Sequence, residues 1–106
     1  PMLVQFNSDR HITATAALTE HSESSVRGAL GGFADQITRV EIHVSDENGA
    51  DKRGLNDKSC RIEARLSGRP PIAVHAVADS VAKSVDGAAE KLRHAIVSIV
   101  GRDNQH

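Results

Sequence analysis

The side chains with the clearest chemical potential are the cations in the C-terminal half of the chain. Residues 58–106 hold eight Lys and Arg against five Asp and Glu, whereas residues 1–57 hold five against nine. Nucleic-acid binders concentrate such cations on one surface, where they neutralise phosphates. The net charge of the whole chain is only −1. Any phosphate-binding surface is therefore predicted in the C-terminal half.

Other kinds of chemistry find little support in the residue pattern. The chain shows no nucleophile with its base and no phosphate-cradling loop, because the glycines of residues 28–32 fall in or at the end of a predicted helix rather than between a strand and a helix. Cys60 lies on the apolar side of a predicted strand, which favours a buried, inert thiol over a reactive one. The sequence thus predicts a protein that is not an enzyme and carries no cofactor.

The histidines do not have the spacing of metal ligands. Six of them are spread over different predicted elements: His11, His21, His43, His75, His94 and His106. Only His43 and His75 are expected to share a sheet face, and with one strand between them they should stand about 10 Å apart. That separation is too large for one zinc ion. We interpret all six as ordinary surface histidines and predict no metal site.

Length and composition indicate one small domain over residues 1–106. Only Phe6 and Phe33 are aromatic, so the core must be aliphatic. The lone cysteine excludes an internal disulfide, and we find neither a signal peptide nor a long apolar run for a membrane. These features predict a cytoplasmic protein without a membrane partner.

Alternating apolar residues predict four strands. The first contains Leu3, Val4 and Phe6, and the others cover residues 37–45, 60–66 and 72–78. In the second strand Val40, Ile42 and Val44 alternate with charged residues, and in the fourth Ile72, Val74 and Ala76 face inward while Ala73, His75 and Val77 face outward. The polar segment 46–57 between strands two and three predicts a loop.

A 3.6-residue period predicts two helices. The first begins near Thr15, with Thr13 or Thr15 as its N-cap, and Ser22 and Ser25 occupy positions where apolar residues are expected. The second begins after Asp79 or Ser80, either of which could cap it, and Gly101 is expected to end it. The element order β-α-β-β-β-α predicts a two-layer α+β fold, in which both helices cover one face of a four-stranded antiparallel sheet.

Five stretches of the chain form a recognisable pattern: Arg10-His11-Ile12, residues 15–20, residues 33–42, Val85-Asp86 and Glu90-Lys91-Leu92. They resemble the family of the ribosome-hibernation promoting factor and ribosome-associated inhibitor, also called sigma-54 modulation proteins. The resemblance covers nearly the whole chain. None of these stretches is a catalytic fingerprint, but their order and spacing together are specific.

The resemblance implies a fold like that of double-stranded-RNA-binding domains. It implies docking on the small ribosomal subunit, in the channel used by mRNA and tRNA, where such proteins keep ribosomes inactive during stress. The expected partner is ribosomal RNA and not DNA. Since the chain stops soon after the last helix, it resembles the short form of the family.

The cations that would contact RNA phosphates lie on the last helix and around the third strand: Lys83, Lys91, Arg93, His94, Arg61, Arg65 and Arg69. The alternative interpretation is a solvated helix face and a strand kept soluble by its charges. The first helix is poor in cations compared with the family, because Arg27 is the only one between Arg10 and Arg39. This departure predicts weakened or altered ribosome binding.

A rival function follows from the same departure. The chain could be a protein-interaction module that keeps the fold but does not bind ribosomes. Such a module could be a homodimer that pairs through its open sheet face or an edge strand. Ala73, His75 and Val77 on the outward side of the fourth strand support this alternative.

Overall fold

In the described part of the chain, four strands and two α-helices follow each other in the predicted order β-α-β-β-β-α. The computed structural model describes residues 2–47 and 57–103, with the backbone alone for residues 102 and 103. The elements are β1 (Leu3–Ser8), α1 (Ala16–Leu30), a 3₁₀ helix (Gly31–Gln36), β2 (Ile37–Asp46), β3 (Lys58–Leu66), β4 (Ile72–Ala78) and α2 (Val81–Asp103). Most of the predicted loop 46–57 lies outside the described residues.

The sheet is mixed, with the strand order β1-β2-β3-β4. β2, β3 and β4 are antiparallel neighbours, but β1 and β2 are parallel. The prediction of an entirely antiparallel sheet was therefore wrong for the first pair. α1 is a crossover that returns the chain to the end of the sheet where β1 began, so β2 runs in the same direction as β1.

Side-chain alternation separates a covered face of the sheet from an open one. Val40, Ile42 and Val44 of β2 are buried, as are Cys60 and Ile62 of β3. Both helices cover this face, α2 against β3 and β4, and α1 against α2 and β1. The predicted two-layer architecture is confirmed, and no helix formed by residues 2–47 and 57–103 covers the other face of the sheet.

Capping side chains set the beginnings of both helices. The Thr15 hydroxyl accepts the Leu18 N–H at 3.1 Å, which selects Thr15 from the two predicted N-caps of α1. The Ser80 hydroxyl accepts the Lys83 N–H at 3.1 Å at the beginning of α2. The prediction that Gly101 ends α2 was wrong, because the helix continues to Asp103. A helical glycine costs only about 1 kcal/mol relative to alanine.

No helix among residues 2–47 and 57–103 is long and apolar enough to cross a membrane.

Ser22 provides a test of how the buried side of α1 is packed. It is fully buried, and its hydroxyl has no hydrogen-bond partner in the described part of the chain. We expect Ser22→Ala to raise the free energy of unfolding by about 1–2 kcal/mol, because it removes an unsatisfied buried hydroxyl and improves helix propensity. Urea unfolding followed by circular dichroism measures the change.

Ser84 is the matched control for this substitution. It is equally buried and helical, but its hydroxyl donates to the Val81 carbonyl at 2.7 Å. Ser84→Ala should therefore give less stabilisation than Ser22→Ala. A Ser22→Ala variant that is less stable than the wild type would contradict the prediction.

Candidate nucleic-acid interface

Three of the predicted contact residues on α2 are paired with carboxylates. The Lys83 ammonium lies 3.1 Å from Asp79, while Arg93 and His94 both bond Glu90, each through a nitrogen 3.1 Å from Oε1. The hydrogen bond from Arg93 lowers the pKa of Glu90 and raises that of Arg93. These pairs lie three or four residues apart on an exposed helix surface. Their carboxylates partly neutralise this part of the predicted interface.

Lys91 differs from its neighbours on α2 because its partner is a backbone carbonyl. Its Nζ donates to the carbonyl oxygen of His75 at 2.8 Å, and its side chain is paired with no carboxylate of the described residues. β4 is an edge strand, so a carbonyl that accepts this bond points away from β3. Lys91 therefore lies at the free edge of β4 with its positive charge uncompensated.

The predicted arginines of β3 lie on the open face of the sheet, opposite the helices. Arg61 is 3.7 Å from Glu63, whereas Arg65 is exposed and makes no ion pair within residues 2–47 and 57–103. Arg69 is half-buried in the turn between β3 and β4. Lys91 and Arg65 are thus the two predicted site residues whose charge is least compensated.

The structure brings only some of the predicted residues together. Arg61 is the cross-strand neighbour of His75, whose carbonyl holds Lys91. Arg61, His75 and Lys91 thus lie in sequence from the open face, around the edge of β4, to α2. We call these three residues the β4-edge patch. Lys83, Arg93 and His94 belong to the helix layer instead, so the predicted set does not form a single surface.

The two outward histidines of the sheet belong with the cations, a connection absent from the predicted site. The sequence predicts that His43 and His75 share one face with a strand between them, and the register confirms this, because Arg61 stands between them on β3. Strand alternation was the signal that could have joined them to Arg61. It required the correct pairing of three strands.

Glu41 organises the charges at the centre of the open face. Its carboxylate accepts a hydrogen bond from Arg39 at 2.7 Å and lies 3.4 Å from the His43 ring. Partial burial raises the pKa of Glu41, but the charges and hydrogen bonds of Arg39 and His43 outweigh this effect and hold the pKa below its ordinary value. Glu41 thus carries a negative charge at neutral pH.

Asp86 joins the two helices on the opposite side of the molecule. It accepts a hydrogen bond from Ser25 at 2.7 Å and lies 3.0 Å from the His21 ring, both on α1. This aspartate belongs to one of the stretches that resemble the hibernation-factor family. Its contacts connect α1 to α2 and tie its charge to α1 rather than to the cations of α2.

Cys60 and the metal-ligating side chains form no site in the described part of the chain. Cys60 is fully buried, and this burial raises the pKa of its thiol to about 12. Residues 2–47 and 57–103 contain no group of three His, Cys, Asp or Glu side chains placed to hold a metal ion. We also find no pocket among these residues.

The fold and the placement of its charged groups define a class: a two-layer α+β domain that presents its cations on open surfaces. Residues 7–103 match the family described as sigma 54 modulation protein / S30EA ribosomal protein. The chain belongs to this family, which confirms the resemblance found in its sequence. No curated protein matched the sequence.

Two solved structures show the same fold. A ribosomal subunit interface protein from Coxiella burnetii superimposes with a TM-score of 0.76 at 21% sequence identity, covering 94% of this chain and 99% of that one. The N-terminal domain of Protein Y from Thermus thermophilus superimposes with a TM-score of 0.72 at 15% identity, covering 93% and 99%. At these identities the likeness establishes the architecture.

Proposed function

We propose that this protein is a non-enzymatic hibernation factor that binds the small ribosomal subunit and occupies the channel used by mRNA and tRNA under stress. The observation that carries this proposal is the family match over residues 7–103. The Coxiella burnetii protein of the same fold is described as a ribosomal subunit interface protein, which supports it. Occupancy of the channel would exclude both mRNA and tRNA and keep the ribosome idle.

The RNA contacts in this proposal are made by the cations of α2, β3 and the turn after β3. Lys91 and Arg65 contribute most, because neither has to leave a carboxylate before it meets a phosphate. Lys83, Arg93 and Arg61 must exchange an existing carboxylate partner for the phosphate, which reduces their net gain. Such contacts respond to backbone shape rather than base sequence, since the A-form major groove is too narrow for side chains to read.

Salt dependence tests the proposal. We expect the purified protein to co-sediment with small subunits at about 50 mM salt and to be released markedly at about 200 mM, because phosphate contacts release counterions. Immunoblotting detects the protein, which contains neither Trp nor Tyr. Absence from every ribosomal fraction at the lower salt concentration would refute the proposal.

The rival function is a homodimeric interaction module, and the structure bears on both of its modes, pairing through the open face and pairing through an edge strand. Exposed apolar side chains on the open face, Leu3 at 56% and Val77 at 52%, favour pairing of two copies through that face. Pairing through β4 is disfavoured, because Lys91 occupies an edge carbonyl and edge lysines oppose strand addition. A dimer that persists at high salt, together with no ribosome binding, would support the rival.

A further inference from the structure

The open face of the sheet carries a row of three basic side chains that crosses three adjacent strands. His43 of β2, Arg61 of β3 and His75 of β4 are direct register partners. Neighbouring strands are spaced about 4.8 Å apart, so the row extends over about 10 Å. We call these three residues the basic row. Arg61 and His75 also belong to the β4-edge patch.

The charge of this face depends on its two histidines. The strands place Arg39, Arg61 and Arg65 on it together with Glu41 and Glu63, which is a net charge of +1 when both histidines are neutral. Protonation of both histidines raises this value to +3. Further acids lie just beyond the strand ends. Glu47 is bonded to Ser45, and Asp9 accepts the Asp46 N–H. Asp57 is bonded to Lys58, and Asp79 lies beside Lys83. Lys91 adds a positive charge at the β4 edge.

His75 is held in an orientation that suits both of its protonation states. Its Nε2 lies 2.8 Å from the hydroxyl of Ser59, which is only 7% exposed. A hydroxyl can donate to a neutral imidazole or accept from a protonated one, so the hydrogen bond survives protonation. The exposed ring can therefore present its Nδ1–H to an anion while its Nε2 keeps the hydrogen bond with the Ser59 hydroxyl. Its other charged neighbours are Arg61, Glu63 and Lys91.

The ring of His43 lies beside the carboxylate of Glu41, which also has Arg39 as a partner. Its Nε2 lies 3.4 Å from Glu41, which also accepts a hydrogen bond from Arg39. Arg39 in turn donates to Gln5 at 2.6 Å, and Asn7 is the neighbour of His43 on β1. Protonated His43 therefore adds a charge that Glu41 cannot fully neutralise.

We propose that the basic row binds the phosphate backbone of RNA and that this contact strengthens as the pH falls. Histidine changes its charge between about pH 5 and pH 8, and each added cation that meets a phosphate releases a counterion. The choice of RNA as the polyanion rests on the proposed function. The proposal adds to that function a contact face away from the helices and a dependence on acidity.

Fluorescence anisotropy with a labelled oligouridine RNA tests this proposal at constant ionic strength. We expect the wild-type protein to bind about tenfold more tightly at about pH 6 than at about pH 8. The salt slope, which is the slope of the logarithm of the binding constant against the logarithm of the salt concentration, should be steeper by about 1.4 at the lower pH, because two contacts to a single strand are added. The double variant His43→Gln/His75→Gln should lose most of this gain. His43→Lys/His75→Lys should bind tightly at both pH values.

His21→Gln is the matched control, because His21 is also exposed and lies beside a carboxylate, but on the helix layer. It should keep the full gain on acidification, and circular dichroism at both pH values verifies folding. A double Gln variant that keeps the wild-type gain, or a wild type that does not bind the RNA at about pH 6, would overturn the proposal.

The outcomes also separate this proposal from the proposed function. Small-subunit binding together with RNA binding whose gain on acidification is the same in the double Gln variant as in the wild type would refute only the basic row. Histidine-dependent RNA binding without co-sedimentation would support the basic row and refute the ribosomal assignment.

Discussion

Replacing Lys91 and Arg65 together with glutamate is expected to weaken binding to the small ribosomal subunit by about a hundredfold or more at low salt. Each substitution removes a contact to phosphate and places a repelling charge at the same position. Both cations are exposed and lack a carboxylate partner among the described residues, so their whole charge is available to RNA. Quantitative co-sedimentation with purified small subunits measures the change.

Neutral variants separate a lost contact from repulsion. Lys91→Gln/Arg65→Gln should weaken binding less and lower the salt slope by about 2, or about 1 for each lost phosphate contact. Arg27→Gln is a close match for Lys91→Gln, because Arg27 is an exposed helical cation that also donates to a backbone carbonyl, that of Met2 at 3.1 Å. Equal losses for Arg27→Gln and Lys91→Gln would show that net charge, and not this site, controls binding.

The second large effect concerns the thiol of Cys60. At about pH 8 a thiol reagent should modify native Cys60 at least about a thousandfold more slowly than the unfolded chain, because the thiolate is the reacting species. Burial raises the thiol pKa from 9.0 to about 12, which disfavours the thiolate, and the side chain has no exposed surface for the reagent to reach. Thionitrobenzoate release in the presence and absence of denaturant measures the two rates.

An exposed cysteine in the same sheet is the control for this measurement. Val77 of β4 is the register partner of Ser59 of β3 and is 52% exposed. In the variant Val77→Cys/Cys60→Ala, the introduced thiol should therefore react rapidly in the native state. Native Cys60 that reacts as fast as this introduced thiol would contradict the burial of β3 beneath the helices.

Local patterns were sufficient to predict most of the fold. Val40, Ile42 and Val44 alternate with charged residues because one face of the sheet is covered and the other is open, and this rule needs only neighbouring positions. The structure extends β2 by one residue beyond the prediction, begins β3 two residues earlier and ends α2 two residues later. These differences occur where a weak local preference competes with the continuation of hydrogen bonding.

The direction of β1 was beyond local patterns. The local sequence of this six-residue strand is the same whether its neighbour is parallel or antiparallel. The prediction of an entirely antiparallel sheet rests on the alternation of the strands, which leaves only one face of the sheet apolar. The crossover through α1 decides the direction, because it brings the chain back along the covered face before β2 begins.

The candidate interface is likewise predictable from local sequence only in part. Pairs such as Lys83 with Asp79 and Arg93 with Glu90 follow from helical spacing, so the sequence by itself determined that these cations would be partly neutralised. The family, the element order and the cationic C-terminal half were also visible in the residues alone. The element order and the cationic half depend on nearby positions or on composition, and the family resemblance depends on the order and spacing of short stretches along the chain.

Only the tertiary structure decided which cations stand together and which remain uncompensated. Lys91 reaches the His75 carbonyl because α2 packs along β4, and Arg61 stands between two histidines because three strands pair in one register. Strand register and helix docking are set by the combined packing of the whole core, in which no single residue dominates. The basic row and the β4-edge patch are consequences of that packing.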